Sequence, residues 1–403
     1  MRYNINIQHL QKDQKYPDAI SFLSSIIKGD LPSKTILANL YGAELVEIVY
    51  SFIKNFLQDK SYSKRTPRLH QSAPSEIDEQ RTALETNSNF QAIQSKLLFN
   101  QLPDEGSFEP LYGEYSAAIR KVFGLFIQLG LIRLCGISAT AHYNRVAGAV
   151  WGLKMDNENI HKYTAVAGLH DAIEDLLNIL KDKKGRVYGI HRYDEFVEDF
   201  IPKELQEHVK LLTNNYDLIL GHINQQFIKT DRSMTKKNLL NAIEVQHRRN
   251  SGELGLHFEK MHELLYNSDI KEDIYKNAKW RCYENLYIHD MAISTKEMND
   301  YRTFQIKAVD LLDNAHGRDS LSMEGRIRNI IKLGIWASQG YNLQSDWLPL
   351  NDFVMEVYEE ALVHAEHLVI KDLFEPQSQQ DFLVSALIKF EKLSPIFYSD
   401  YKH

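Results

Sequence analysis

The chain has 403 residues, 43% of them apolar and 11% aromatic, enough to bury a substantial core across two or three domain-sized units. Its net charge of −7 argues against nonspecific nucleic-acid binding, which relies on Lys and Arg neutralising phosphates. Cys135 and Cys282 form no CxxC pair, which leaves no basis for a disulfide framework or a cysteine zinc site. The start of the chain lacks a signal pattern, and no apolar run is long enough to span a membrane. A cytoplasmic location with reduced thiols is expected.

Taken in order, the segments predict an all-α fold. Residues 1–58 form an N-terminal helical segment, with Ser33 placed to cap a helix running to about Leu57. These helices could mediate homo-oligomer formation or hold a protein partner. Residues 59–90 are polar, contain Pro67 and Pro74, and read as a linker or mobile segment. A main domain is expected over 108–320. Within it, Phe108–Leu134 is a helical stretch leading to His142, and 142–180 carry the motif described next. A helical insertion follows at about 186–279, with helical patches at Leu205–Thr213 and Leu254–Tyr266. Tyr283–Ala315 is helical again. Residues 321–403 form a C-terminal extension, with amphipathic stretches at Met323–Trp336, Phe353–Leu373 and Phe382–Leu393. There is no alternating strand beyond a few residues, no fixed-period repeat, and no GxxxxGK[ST] or GxGxxG loop.

The most informative segment is His170-Asp-Ala-Ile-Glu174-Asp175. On a helix, residues four apart share a face, so Glu174 lies one turn beyond His170 and Asp175 one turn beyond Asp171. The segment follows the apolar, small-residue run Tyr163–Leu169, which brings charged groups toward a core. That is costly unless a cation or other partners satisfy them. Further ligands are available at His142, which lies 28 residues upstream, and at Asp310, which has apolar neighbours and Asn314 one turn later. Two imidazoles and two carboxylates suit Mn²⁺, Fe²⁺ or Zn²⁺ better than Ca²⁺. His289-Asp290 is a second, isolated His-Asp pair. The basic clusters Lys64-Arg65 with Arg68, and His247-Arg248-Arg249, read as solvated faces. The stretch Lys181–Arg186 reads as a solvated basic turn, or else one that meets distal phosphates.

The ordered set His…HDxxED…D-x-x-x-N resembles the HD-domain metal phosphohydrolases, and among them the (p)ppGpp hydrolase domain of the RelA/SpoT family. The resemblance covers about residues 130–320. It implies an HD-domain helical core in which His142, His170, Asp171 and Asp310 hold a divalent metal, Mn²⁺ first. By the same resemblance Glu174 and Asp175 are the catalytic carboxylates, and Arg133, Lys307 and Asn314 contact the nucleotide substrate. Arg133 and Gly136 match, by spacing, an arginine that packs on the guanine base and a following glycine. Arg302 also has a counterpart.

The chain departs from the pattern in places. Ala139 and Tyr143 stand near the first histidine where the family usually has a tyrosine and a proline. Asp313 replaces the histidine before Asn314. The interval between Asp175 and Asp310 is longer than usual. A synthetase domain would have to follow residue 320, where the remaining chain is too short for one. The expected reaction is removal of the 3′-pyrophosphate from (p)ppGpp or a related purine nucleotide. Action on another mono-, tri- or cyclic nucleotide, and a catalytically silent nucleotide sensor, remain as alternatives.

Overall fold

The computed structural model describes residues 87–133, 138–153, 159–250, 252–270, 273–316 and 323–343, with positions 350, 353, 354, 356 and 357. The expectations for 1–58, the linker up to residue 86, Cys135, Gly136 and the helix Phe382–Leu393 lie outside these residues. Among the described residues the regular elements are helical and no strand is present, so the fold is all-α. No described helix is long and apolar enough to cross a membrane.

The chain divides into two compact units, one of residues 76–313 and the other of 1–75 with 314–403. The first begins with α1 (Ser88–Leu98), where Asn87 accepts the Phe90 N–H and caps the helix. Apolar residues at helical spacing then bury one face each of α1, α2 (Glu105–Tyr112) and α3 (Ser116–Gln128). The predicted helix Phe108–Leu134 is therefore two helices, parted by a 3₁₀ turn at Gly113–Tyr115.

Next come α4 (Ala139–Gly152) and α5 (Ile160–Leu169), both buried on nearly every side. Their alanines and glycines are the reason: small side chains let backbones pack closely. At Gly168 the approach is close, since a Cβ there would lie 3.1 Å from the Tyr112 ring and 3.2 Å from Ile119. Tyr112 in turn donates to Asn144 Oδ1 on α4 at 3.1 Å, and Asn144 donates to Gln94 on α1 at 2.9 Å. These contacts tie α1 and α2 to α4, and Tyr112 also lies against α5 at Gly168.

A short helix, α6 (Ala172–Leu176), follows α5 directly. The expected insertion is more fully helical than its two patches suggested. It contains α7 (Tyr193–Phe200), α8 (Gln206–Leu212), α9 (Asn215–Lys229), α10 (Lys236–Arg249), α11 (Gly255–Asn267) and α12 (Ile274–Cys282). Asn214, Thr235 and Asp273 cap α9, α10 and α12 with their side-chain oxygens. After α12 the chain makes a π-turn at Tyr283–Tyr287 and continues as α13 (Ile288–Met298) and α14 (Tyr301–His316). In the other unit, α15 (Met323–Asn342) buries Leu333 and Trp336, with the Trp336 ring edge-on to Phe353 at 5.8 Å.

Gly168→Val tests the close packing under α5. It should cost about 1–3 kcal/mol by overpacking against Tyr112 and Ile119. A lowered midpoint in urea unfolding, with an unchanged slope, is the expected result.

Candidate metal centre

The structure brings together His142 from α4, His170 and Asp171 from the α5–α6 junction, and Asp310 from α14. One ligating atom from each lies within 4.8 Å of the others. His142 Nε2 is 3.2 Å and His170 Nε2 is 3.4 Å from Asp310 Oδ1, and His170 Nε2 is 3.0 Å from Asp171 Oδ2. The two rings cross at 73° with centroids 5.2 Å apart. Both imidazoles and Asp310 are buried, while Asp171 is partly open.

His170 and Asp171 do not sit inside one continuous helix. Helix α5 ends at Leu169 and α6 starts at Ala172. His170 Nδ1 donates to the Ala167 carbonyl at 2.7 Å, and so takes up an acceptor that a continuing helix would use. The i to i+4 relation survives from Asp171, whose carbonyl accepts the Asp175 N–H at 3.0 Å. Glu174 and Asp175 thus still follow the ligands by one turn.

The donor set fits a cation. A carbonyl only accepts, so His170 carries its proton on Nδ1. His142 Nδ1 is likewise held by Asp313 Oδ2 at 2.6 Å. Both Nε2 atoms therefore face the cluster, buried, and neither completes a hydrogen bond there. Two converging imidazole nitrogens beside two carboxylate oxygens are the ligands a mid-sized divalent metal takes.

The charges at the site act on one another. Burial would lower His170, but the Asp171 and Asp310 carboxylates raise it to about 10. Burial would raise Asp171, but His170 brings it down to about 2. Asp310 is likewise held well below the usual carboxylate range, against its burial, by Lys307 and His170. Lys307 was expected to contact substrate. The structure ties its buried Nζ to Asp310 Oδ2 at 2.7 Å, and the ammonium also lies 5.6 Å from the Tyr287 ring centroid.

Beside the cluster stand the two carboxylates of α6. Burial and the Asp171 charge raise Glu174 to about 8, while Glu174 Oε1 accepts the backbone N–H of Asn214. Asp175 stands at the solvent rim, but its inward part is shielded and lies near Asp171, which together raise it to about 6. The Tyr143 hydroxyl donates to Asp175 Oδ2, and the Arg133 charge acts on both residues. Asn314 lies one turn beyond Asp310 on α14, where the other unit begins, and its carbonyl accepts from Asn329 at 3.0 Å. Arg302 is near the start of the same helix, over the Tyr163 ring.

Sequence reasoning noted Asp313 and Tyr143 only as departures and passed over Arg145 and Asn214. The signal for Asp313 and Arg145 was their i+3 spacing from Asp310 and His142. Asn214 contributes a main-chain group, which no residue type reveals.

The remaining singled-out residues have other roles. Asp290 accepts from Tyr216 at 2.5 Å and Lys260 at 2.8 Å, so the second His-Asp pair braces helices. The basic turn closes on Asp182, which accepts the N–H groups of Lys184 and Arg186 and pairs with the Arg186 and Arg192 side chains. Arg248 pairs with Glu244. A groove of about 640 Å³ is lined by none of the cluster residues, and within it Lys210 pairs with Glu253 and Lys260 with Asp290.

Comparison with protein-family models, with curated proteins and with solved structures found no match. The case for the centre rests on its own geometry.

With His170 raised to about 10, the metal-free protein carries a proton there at neutral pH. That proton stabilises the metal-free fold fully below about pH 6.5, and the stabilisation is lost as the pH rises through 10. A cation must displace it, so apparent Mn²⁺ affinity should rise with pH by about tenfold per unit for each proton released. Titration calorimetry in two buffers of different ionisation enthalpy should read at least one proton released per ion.

Proposed function

We propose that this chain is a metal-dependent phosphohydrolase acting on a nucleotide. One observation carries the reading: two imidazole nitrogens and two carboxylate oxygens converge within 4.8 Å, directly beside a carboxylate pair. His142, His170, Asp171 and Asp310 would hold the cation, with Mn²⁺, Fe²⁺ and Zn²⁺ all compatible. A divalent ion bound there supplies a lowered pKa for water and offsets charge on the phosphoryl group.

The protein's own groups divide the proton work. Asp175 ionises first and is open to solvent, so it receives the proton of the attacking water. Glu174 keeps its proton to a higher pH and returns one to the leaving oxygen. Two carboxylates whose environments set their pKa values apart are suited to these complementary roles. Tyr143 holds Asp175 and the Asn214 amide holds Glu174, which limits the rotation of both. Lys307 acts on the ligand Asp310 in this reading rather than on substrate.

The substrate we propose first is (p)ppGpp or a related purine nucleotide. Water would attack the phosphorus attached to the ribose 3′ oxygen, the bond to that oxygen would break, and pyrophosphate would leave. Arg133, beside Asp175, would meet the nucleotide, with Asn314 following Asp310.

Assays of the Mn²⁺-loaded protein on ppGpp, pppGpp, GTP, dGTP and cyclic nucleotides test this, following pyrophosphate and phosphate release. Asp310→Ala should abolish metal binding and turnover together. Glu174→Gln should keep the metal and lower kcat by about 10²–10⁴-fold. Full activity in both variants would sink the assignment. Release from a nucleotide other than the alarmones would keep the chemistry and change the substrate, and metal binding without any release would favour a sensor.

A further inference from the structure

We propose that Asp313 and Arg145 form a positioning clamp that locks His142 with its Nε2 turned into the cluster, so that Asp313, itself no ligand, sets how tightly the cation is held. This rests on the metal-centre reading above. Helix α4 presents His142 and Arg145 three residues apart, and α14 presents Asp310 and Asp313 at the same spacing, so each helix offers one residue to the cluster and one beside it. Asp313 joins the two. Its Oδ2 is 2.6 Å from His142 Nδ1 and 2.8 Å from an Arg145 terminal nitrogen, while its Oδ1 accepts Arg145 Nε at 2.9 Å.

The arrangement determines the tautomer. Both Asp313 oxygens already accept from a guanidinium that cannot give up its charge, so the shared proton belongs to His142 Nδ1 and the Nε2 lone pair faces Asp310. The Arg145 fork also keeps the carboxylate plane fixed, since turning it would break two parallel charge-assisted bonds. A carboxylate one turn from Asp310 could otherwise swing in as a competing ligand. The site is dry enough for these bonds to matter: the side chains of His142, Arg145 and Asp313 are 1%, 14% and 17% exposed. His170 has no such partner on Nδ1, only the neutral Ala167 carbonyl. The two imidazoles are therefore unequal, and His142 is the one anchored by charge.

The test uses the full-length protein. Mn²⁺ titration gives the affinity, and ¹⁵N-imidazole spectra of the histidine-labelled, metal-free protein give the tautomer, with His142 assigned by loss of its peaks in His142→Gln. The wild type should bind one ion and show His142 protonated on Nδ1. Asp313→Asn should weaken Mn²⁺ binding by about 10–100-fold and move the His142 signals, with the helical far-UV spectrum retained. Arg145→Lys keeps the charge but not the fork, and should shift both readouts in the same direction by less. It serves if Asp313→Asn does not fold. Wild-type affinity and unchanged His142 signals in the variants would overturn the clamp while leaving the metal centre standing. No Mn²⁺ bound by the wild type would overturn both.

Discussion

Two buried imidazoles facing two carboxylates are an expensive arrangement for a helical core, and the packing around them is organised to make it tolerable. Ionisable groups taken out of water need partners of opposite charge or a metal. Here the three buried ones are held from behind: His170 by a main-chain carbonyl, His142 by Asp313, and Asp310 by Lys307. Alanine and glycine on α4 and α5 allow the backbone approach, and the Tyr112–Asn144–Gln94 contacts hold it.

Much of the centre was legible because its chemistry is local. His170 through Asp175 carries two of the four candidate ligands and the adjacent carboxylate pair in six residues, and His142 and Asp310 could be picked out as polar residues in apolar helices. What the sequence hid was the helix break. No Pro marks it, and the His170 side chain takes the Ala167 carbonyl that a continuing helix would use. The contact of Lys307 with Asp310 was hidden for a related reason. Its spacing from Asp310 was plain, but whether a lysine three residues from a ligand turns outward to substrate or inward to the ligand depends on burial. In the fold it is buried beside Tyr287.

The segment 186–279 is no passive excursion. Its α8–α9 junction delivers the Asn214 amide to Glu174, and the π-turn that follows its last helix sets Tyr287 against Lys307. Irregular helical turns of this kind recur where side chains must be re-aimed. Only scattered apolar patches foretold these helices, because α10 and α12 are rich in Lys, Asn and Arg. Their boundaries come instead from capping residues such as Thr235 and Asp273.

The wide spacing of the ligands has a mechanical consequence. Asp171 and Asp310 are separated by more than a hundred residues, with the helices of 186–279 between them. An ion shared by the two would act as a cross-link closing that loop, and loop-closure entropy grows only slowly with loop length. The same ion would pin α4, the α5–α6 junction and α14 at a single point. Chelation would then do more than remove an ion: it would release one of the fastenings that bridge residues 186–279, and the chain there would become easier to open and to cut.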